Sequence, residues 1–384
     1  MEHRCIRGLD NHFPRVGRAH TRQSKSCHRI HRVSPYRDPL AKRSAFVWGL
    51  ERVRLQPAGS RFLYSFRIAV AGVGQSLLDL VECRDIPARR PRLLSSGIYP
   101  GIKSRYHGII YLLLVPLVLG NLDTGQANPT VIGLVLLAVA AVPAERWSVA
   151  TLCVAAATYL KIYPLAVGLI LFLMAPRRFG WRLFLALVLL GILPFLFQHW
   201  SYVSQQYHEW ISTRSTDDRR LYPIKDVPLD LWFLLVRLGH LPIPGFVYSA
   251  FQMLSGGAIA LFCLVGVWKA WPKERLLAGI LALVCIWMTL CGPATELQTY
   301  ILLAPAVVLT LIDVLPSSRP LWLRTGLVVV CLLMVLAVAR TSLLPSQKGL
   351  WILTIQPVAA ILFLVCCLVL FLRNSGWKPQ VNFR

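Results

Sequence analysis

The sequence predicts an all-α fold, a polytopic integral membrane bundle of about eight to ten transmembrane helices. Composition is the first reason. Only 15% of the 384 residues are charged while 56% are hydrophobic, and mean hydropathy is +0.57. Soluble domains carry roughly 25% charged residues. That shortfall excludes an ordinary soluble enzyme and a disordered chain. Patterning is the second reason. From His107 onward, long apolar runs alternate with short loops holding Pro, Gly and charges. The third observation sets off the beginning of the chain. Residues 1–106 hold 21 Lys/Arg against seven Asp/Glu, and the whole chain carries +24.

Candidate spans fall at 107–120, 129–143, 147–175, 180–199, 247–268, 276–292, 297–315, 325–339 and 350–372. A spanning helix needs about 20 residues at 1.5 Å rise, so the shorter runs read as tilted, broken or re-entrant pieces. The long 147–175 run contains Pro164, which removes a backbone donor and predicts a kink near Tyr163–Pro164. Orientation follows from basic residues in short turns. Arg177, Arg178 and Arg182 flank one turn, Lys269, Lys273 and Arg275 a second, and Arg319 and Arg324 a third. Arg373, Lys378 and Arg384 follow the last span. These turns and the 374–384 tail are expected in the cytoplasm of a multi-pass cell-membrane protein. The loop 200–246 and the links 293–296 and 340–349 then face outward, leaving 107–373 as the membrane domain.

Residues 1–106 read differently. They show no sustained helical or strand period and no leading signal segment. One stretch, 62–81, is long enough to span, but Arg67 and Asp79 inside it make it a weak membrane helix. Three readings stand: a basic tail on an anionic leaflet, a nucleic-acid binder, or a stretch foreign to the protein through a mis-set start or shifted frame. The second lacks interleaved aromatics and a recognisable fold. The third fits the missing periodicity and caps best. Cys5, Cys27, His28 and His31 have no zinc-site spacing, and the chain has no CxxC pair, so no metal is expected. The cysteines inside apolar runs read as small hydrophobes.

Polar residues in or beside spans are the sharpest functional signals in lipid. Lys161 sits in ATYLKIYPLAVG, ahead of Tyr163 and sixteen residues before Arg177, about 24 Å along a helix and so toward the outer face. It reads either as a snorkelling cation or as a cation aimed at a phosphate. In NLDTGQANP, Asp123, Gln126 and Asn128 lie between two apolar runs. A turn with an N-cap accounts for Asn128 and partly for Asp123, but not for Gln126. The outer loop holds His208, Arg219 and Arg220 among Trp200, Tyr202, Tyr207, Trp210 and Tyr222. Such a mixture suits sugar faces and phosphates, and equally the aromatic belt of any membrane protein. Asp217–Asp218 is not an Asp-x-Asp metal pair. Glu296 reads first as a solvated residue of an outward link.

Three strings together carry a family resemblance: Gly125-Gln126-x-Asn128, then Lys161-x-x-Pro164 closing an Ala-rich helix, then Arg177–Arg178 with Trp181 at a basic turn. In this order and spacing they resemble the membrane glycosyltransferases of family 87, most closely over 107–200. The resemblance implies an integral membrane hexosyltransferase. It would move a hexose, mannose in some members, from a polyprenyl-phosphate sugar to a lipid or glycan acceptor on the non-cytoplasmic face. No cofactor, metal or nucleic acid is implied, and the partners are donor, acceptor and membrane lipids. Gln126, Asn128, Lys161, Tyr163, His208, Arg219 and Arg220 are the expected substrate-binding residues, with Lys161 stabilising the leaving phosphate.

The family places its general base, an acid, in a first outer loop. No residue here matches it, which leaves Asp123 and Glu296 as substitutes. The chain also has Gly292-Pro293-Ala294-Thr295-Glu296 where some members carry Ser-Pro followed by histidines. A transporter or flippase for a lipid-linked or small substrate is the alternative reading, and an inactive truncated relative is another.

Overall fold

The computed structural model describes residues 99, 102, 106–124, 126–215, 222, 227–292, 295–343 and 350–373. The chain divides into two units, 1–42 and 43–384, and all described residues belong to the second. The weak span at 62–81, the tail Cys and His residues, Asp217, Asp218, Arg219 and Arg220 lie outside the described residues.

Helices account for most of the described backbone, and no strand occurs among the described residues. In chain order they are α1 His107–Thr124, α2 Asn128–Ala141, α3 Trp147–Leu160, α4 Leu165–Met174, α5 Trp181–Phe197, α6 Trp200–Ser215, α7 Gly245–Trp268, α8 Lys273–Leu290, α9 Ala304–Val314, α10 Leu321–Leu343 and α11 Leu350–Arg373. A wide turn, Pro176–Gly180, leads into α5, and a 3₁₀ turn, Leu297–Leu302, leads into α9. Among the described residues, five helical stretches are long and apolar enough to cross a membrane: Pro176–Phe197, Gly245–Trp268, Leu297–Val314, Leu321–Arg340 and Leu353–Leu372. Four shorter apolar helices accompany them, at 108–118, 128–141, 147–160 and 165–174. The all-α membrane bundle expected from composition is therefore the fold observed.

The 147–175 run breaks where the proline predicts. α3 closes with the Lys161 N–H donating to the Ala157 carbonyl at 2.9 Å, and Lys161 then turns to extended backbone (φ −152°, ψ 136°). Pro164 cannot donate within a helix and disfavours helical geometry in the residue before it. It instead opens α4, where its carbonyl accepts from Val167 and Gly168. The break lifts Lys161 out of the helix line.

The helices divide into an inner and an outer set. α8 is buried along almost its whole length, and 78% of the Leu297–Val314 span is buried. α10 and α11 pack on each other and on this pair. In the Pro176–Phe197 and α7 spans only 11% is buried, and Phe184, Leu196, Phe197, Met253 and Leu254 are exposed. An exposed apolar surface of this extent is disfavoured in water and natural in acyl chains.

One difference from expectation lies in the outer loop. Residues 200–246 include a full helix, α6, which polar residues and aromatics conceal from a hydropathy reading.

The two ends of the bundle differ in charge. Arg178 pairs with Glu145 at 3.1 Å, just past the end of α2, while Asn128 opens that helix about 21 Å away. Asp313 at the end of α9 lies within electrostatic range of Arg275 and Arg319. The basic turns thus sit at the end of the bundle opposite Asn128 and the 291–302 segment.

Candidate active site

Three remote segments meet at the non-basic end. The first is the α1–α2 junction. Asn121 lies in the last turn of α1, and the Gln126 backbone N–H donates to its carbonyl at 3.2 Å. Asn128 is the first residue of α2 and is fully buried. The capping role expected of it does not hold. Ala127 occupies the N-cap position, and no side chain caps the helix. The Asn128 side-chain amide instead turns back across the junction. It donates to Asn121 Oδ1 at 3.0 Å and to Gln126 Oε1 at 2.6 Å. A buried amide left unpaired costs about 1–3 kcal/mol, so these bonds fix the Gln126 rotamer as well as closing the turn.

The second segment is the link after α8. Gly292 allows the chain to leave α8 tightly, because a Cβ there would run into the Met288 carbonyl. Glu296 then starts the 3₁₀ turn with a capping box. Its side chain accepts from the turn's third residue, while the Thr299 hydroxyl accepts from the Glu296 N–H at 3.1 Å. Gln126 Nε2 donates to Glu296 Oε2 at 2.6 Å, joining residues 170 positions apart. As expected of a solvated link residue, Glu296 is exposed, yet it also bonds across the fold. Its carboxylate is held from both sides.

The third segment is the α3–α4 break. Tyr163 is buried, and its hydroxyl reaches Asn128 Oδ1 at 3.5 Å and lies near Thr299. Lys161, half-buried, has its ammonium 5.8 Å from the centre of the Tyr163 ring. The Glu296 carboxylate is close enough to act electrostatically on both Lys161 and Tyr163. The result is a carboxylate, an ammonium, three amides and a phenol gathered at one face, with the carboxylate open to solvent. That set can accept a proton, bind an anion and orient hydroxyls.

A wall backs this cluster. The Leu229 N–H donates to the Thr295 carbonyl at 2.7 Å, and the Tyr300 hydroxyl donates to the Leu229 carbonyl at 2.6 Å. Asp230, fully buried, accepts from the Phe233 N–H at 3.1 Å. The Tyr248 hydroxyl accepts from the Trp232 N–H at 3.2 Å and donates to the Leu290 carbonyl at 3.3 Å. The loop's last stretch is thereby pinned on both sides of Glu296.

Of the residues expected to bind substrate, the structure brings together Gln126, Asn128, Lys161 and Tyr163. Of the two substitute bases, it adds Glu296. Asp123 lies in the last turn of α1. His208 is exposed on α6, which packs against the end of α5, and among the described residues no hydrogen bond ties it to the cluster. Sequence reading missed Asn121, Thr299 and Leu229, and held Asp230 only as one of several charges in the loop. Asn121 had a faint signal, since it stands seven residues before Asn128 across a Gly-containing turn. Thr299 had one too, as the third residue after an acid at a helix start.

Comparison with known proteins decides the family. The model of glycosyltransferase family 87 matches residues 72–293, more than half of the chain. The chain belongs to glycosyltransferase family 87. No curated protein and no solved structure matches it significantly. This family 87 protein is accordingly a membrane glycosyltransferase. The matched stretch holds the α1–α2 junction and the α3–α4 break and ends three residues before Glu296. It begins inside the basic stretch, so residues 72–106 fall within it and 1–71 outside.

Proposed function

We propose that this glycosyltransferase moves a hexose, with mannose the leading case, from a polyprenyl-phosphate donor to a hydroxyl of a lipid or glycan acceptor at the non-cytoplasmic face. The observation that carries this reading is the Gln126–Glu296 bond beside Lys161, which puts a carboxylate and a cation in one polar cluster at the bundle end. A transporter calls for polar groups at mid-depth. Here they gather at one end, away from the basic turns that the positive-inside rule assigns to the cytoplasm.

In the proposed reaction Glu296 takes the proton from the acceptor hydroxyl. The acceptor oxygen bonds to the anomeric carbon as that carbon's bond to the phosphate oxygen breaks. The electron pair leaves with the polyprenyl phosphate, whose charge Lys161 offsets. Gln126 holds the carboxylate and has one amide N–H left for a sugar hydroxyl, while the buried Asn128 fixes the Gln126 side chain. Tyr163 supports Lys161 from beneath.

The test supplies purified full-length protein in lipid with radiolabelled polyprenyl-phosphate mannose, polyprenyl-phosphate glucose or a nucleotide sugar, together with a membrane lipid extract as acceptor. Transfer from a lipid-linked sugar and none from the nucleotide sugar is expected. Transfer from the nucleotide sugar alone would overturn the donor assignment.

A further inference from the structure

The helix α6 has a distribution of side chains that the catalytic reading does not use. At 100° per residue, Trp200, Val203, Tyr207, Trp210 and Ile211 fall within an arc of roughly 100°. Ser201, Gln205, His208, Glu209 and Ser212 fill an arc of similar width on the other side. Part of the apolar arc packs on the end of α5. Val203 is buried, the Tyr207 hydroxyl donates to the Gly191 carbonyl at 2.9 Å, and the Phe195 ring lies 4.4 Å from Trp200 and 6.0 Å from Tyr207. The Tyr159 hydroxyl comes in beside the same turn and donates to the Leu187 carbonyl at 2.7 Å. A Cβ at Gly191 would run into it. The outer edge of the arc stays exposed. Trp200 is 69% exposed and Ile211 61%, on the same edge of the helix.

We infer that α6 lies in the membrane surface, with the Trp200–Ile211 edge sunk among lipid headgroups and upper acyl chains and the His208 side facing water. Continuity with α5 supplies the occupant. α5 starts at the basic turn, spans about 25 Å, and ends in the exposed Leu196 and Phe197, immediately before Trp200. The lipid that covers that end of α5 extends to the Trp200 edge without a gap. A helix with an apolar edge, a polar opposite side and low overall hydrophobicity is the kind that rests in an interface, and tryptophan favours that depth. This placement also explains why His208 stands outside the catalytic cluster.

The test places single cysteines at Trp200→Cys, Gln205→Cys, His208→Cys and Ile211→Cys in the full chain. The variants are held in phosphatidylethanolamine–phosphatidylglycerol nanodiscs, where both faces meet reagent. Labelling rates with a charged maleimide are measured against the unaltered chain, which reports the native cysteines. Thiols in lipid neither ionise nor meet the reagent. Positions 205 and 208 are expected to label at least about tenfold faster than 200 and 211. Equal rates at 208 and 211, or faster labelling at 211, would overturn the inference.

Discussion

The α1–α2 junction and the outer loop look alike as sequence: each gathers polar residues next to apolar runs. Folding separates them. Gln126 and Asn128 of the junction are drawn into a hydrogen-bonded chain with Asn121 and Glu296. His208 and its neighbours in the loop are spread along the exposed side of a helix. The difference lies in partners. Junction residues sit where three helix ends meet, so their polar atoms must be satisfied by one another. The polar side of α6 is exposed and is not forced into such a network. In this protein, polarity marks the candidate site where side chains from separate helix ends bond to one another. Elsewhere it marks the waterline.

Substitutions can break this comparison or sharpen it. The largest effect is expected at Lys161. Lys161→Ala should lower transfer from the lipid-linked donor on the order of 1000-fold, and Lys161→Arg should recover part of it, measured as kcat in lipid nanodiscs. Near-normal transfer by Lys161→Ala would remove the cation from the chemistry. Glu296→Gln comes next. Glutamine keeps the size and one acceptor oxygen, enough for one of the two bonds that hold the carboxylate, so the fold should hold while transfer falls about 100-fold through loss of the base. If Glu296→Gln transfers at the normal rate, Glu296 only anchors Gln126 and the base lies elsewhere. The smallest effect is expected in the loop, where His208→Ala should leave turnover within about twofold. A loss there comparable to that of Lys161→Ala would mean that the loop, and not the junction, carries the reaction.

The sequence made much of this legible. Apolar runs marked the helices, Pro164 marked the break that frees Lys161, and Gln126 stood out because no turn or cap accounts for it. What stayed hidden was long-range. Glu296 is separated from Gln126 by 170 residues, and nothing in its own link shows that an amide will meet it. Asn128 misled because an Asn–Pro pair is a common helix start, yet burial among helix ends gave its amide better partners than the backbone. The α6 helix was hidden by composition. Its apolar positions recur at helical spacing, but the aromatics among them also suit an irregular belt. Asp230 was one charge among many in the loop, and only its burial near Tyr300 sets it apart.

The most direct measurement is photo-crosslinking with a polyprenyl-phosphate mannose analogue that carries a diazirine on the lipid beside the phosphate. The protein is held in nanodiscs and the adducts are mapped by peptide mass spectrometry. Adducts concentrated on the peptide that holds Lys161 and Tyr163, and competed away by unmodified donor, are the predicted result. Competable adducts confined to α6 or to the basic turns would contradict the placement of the transfer site.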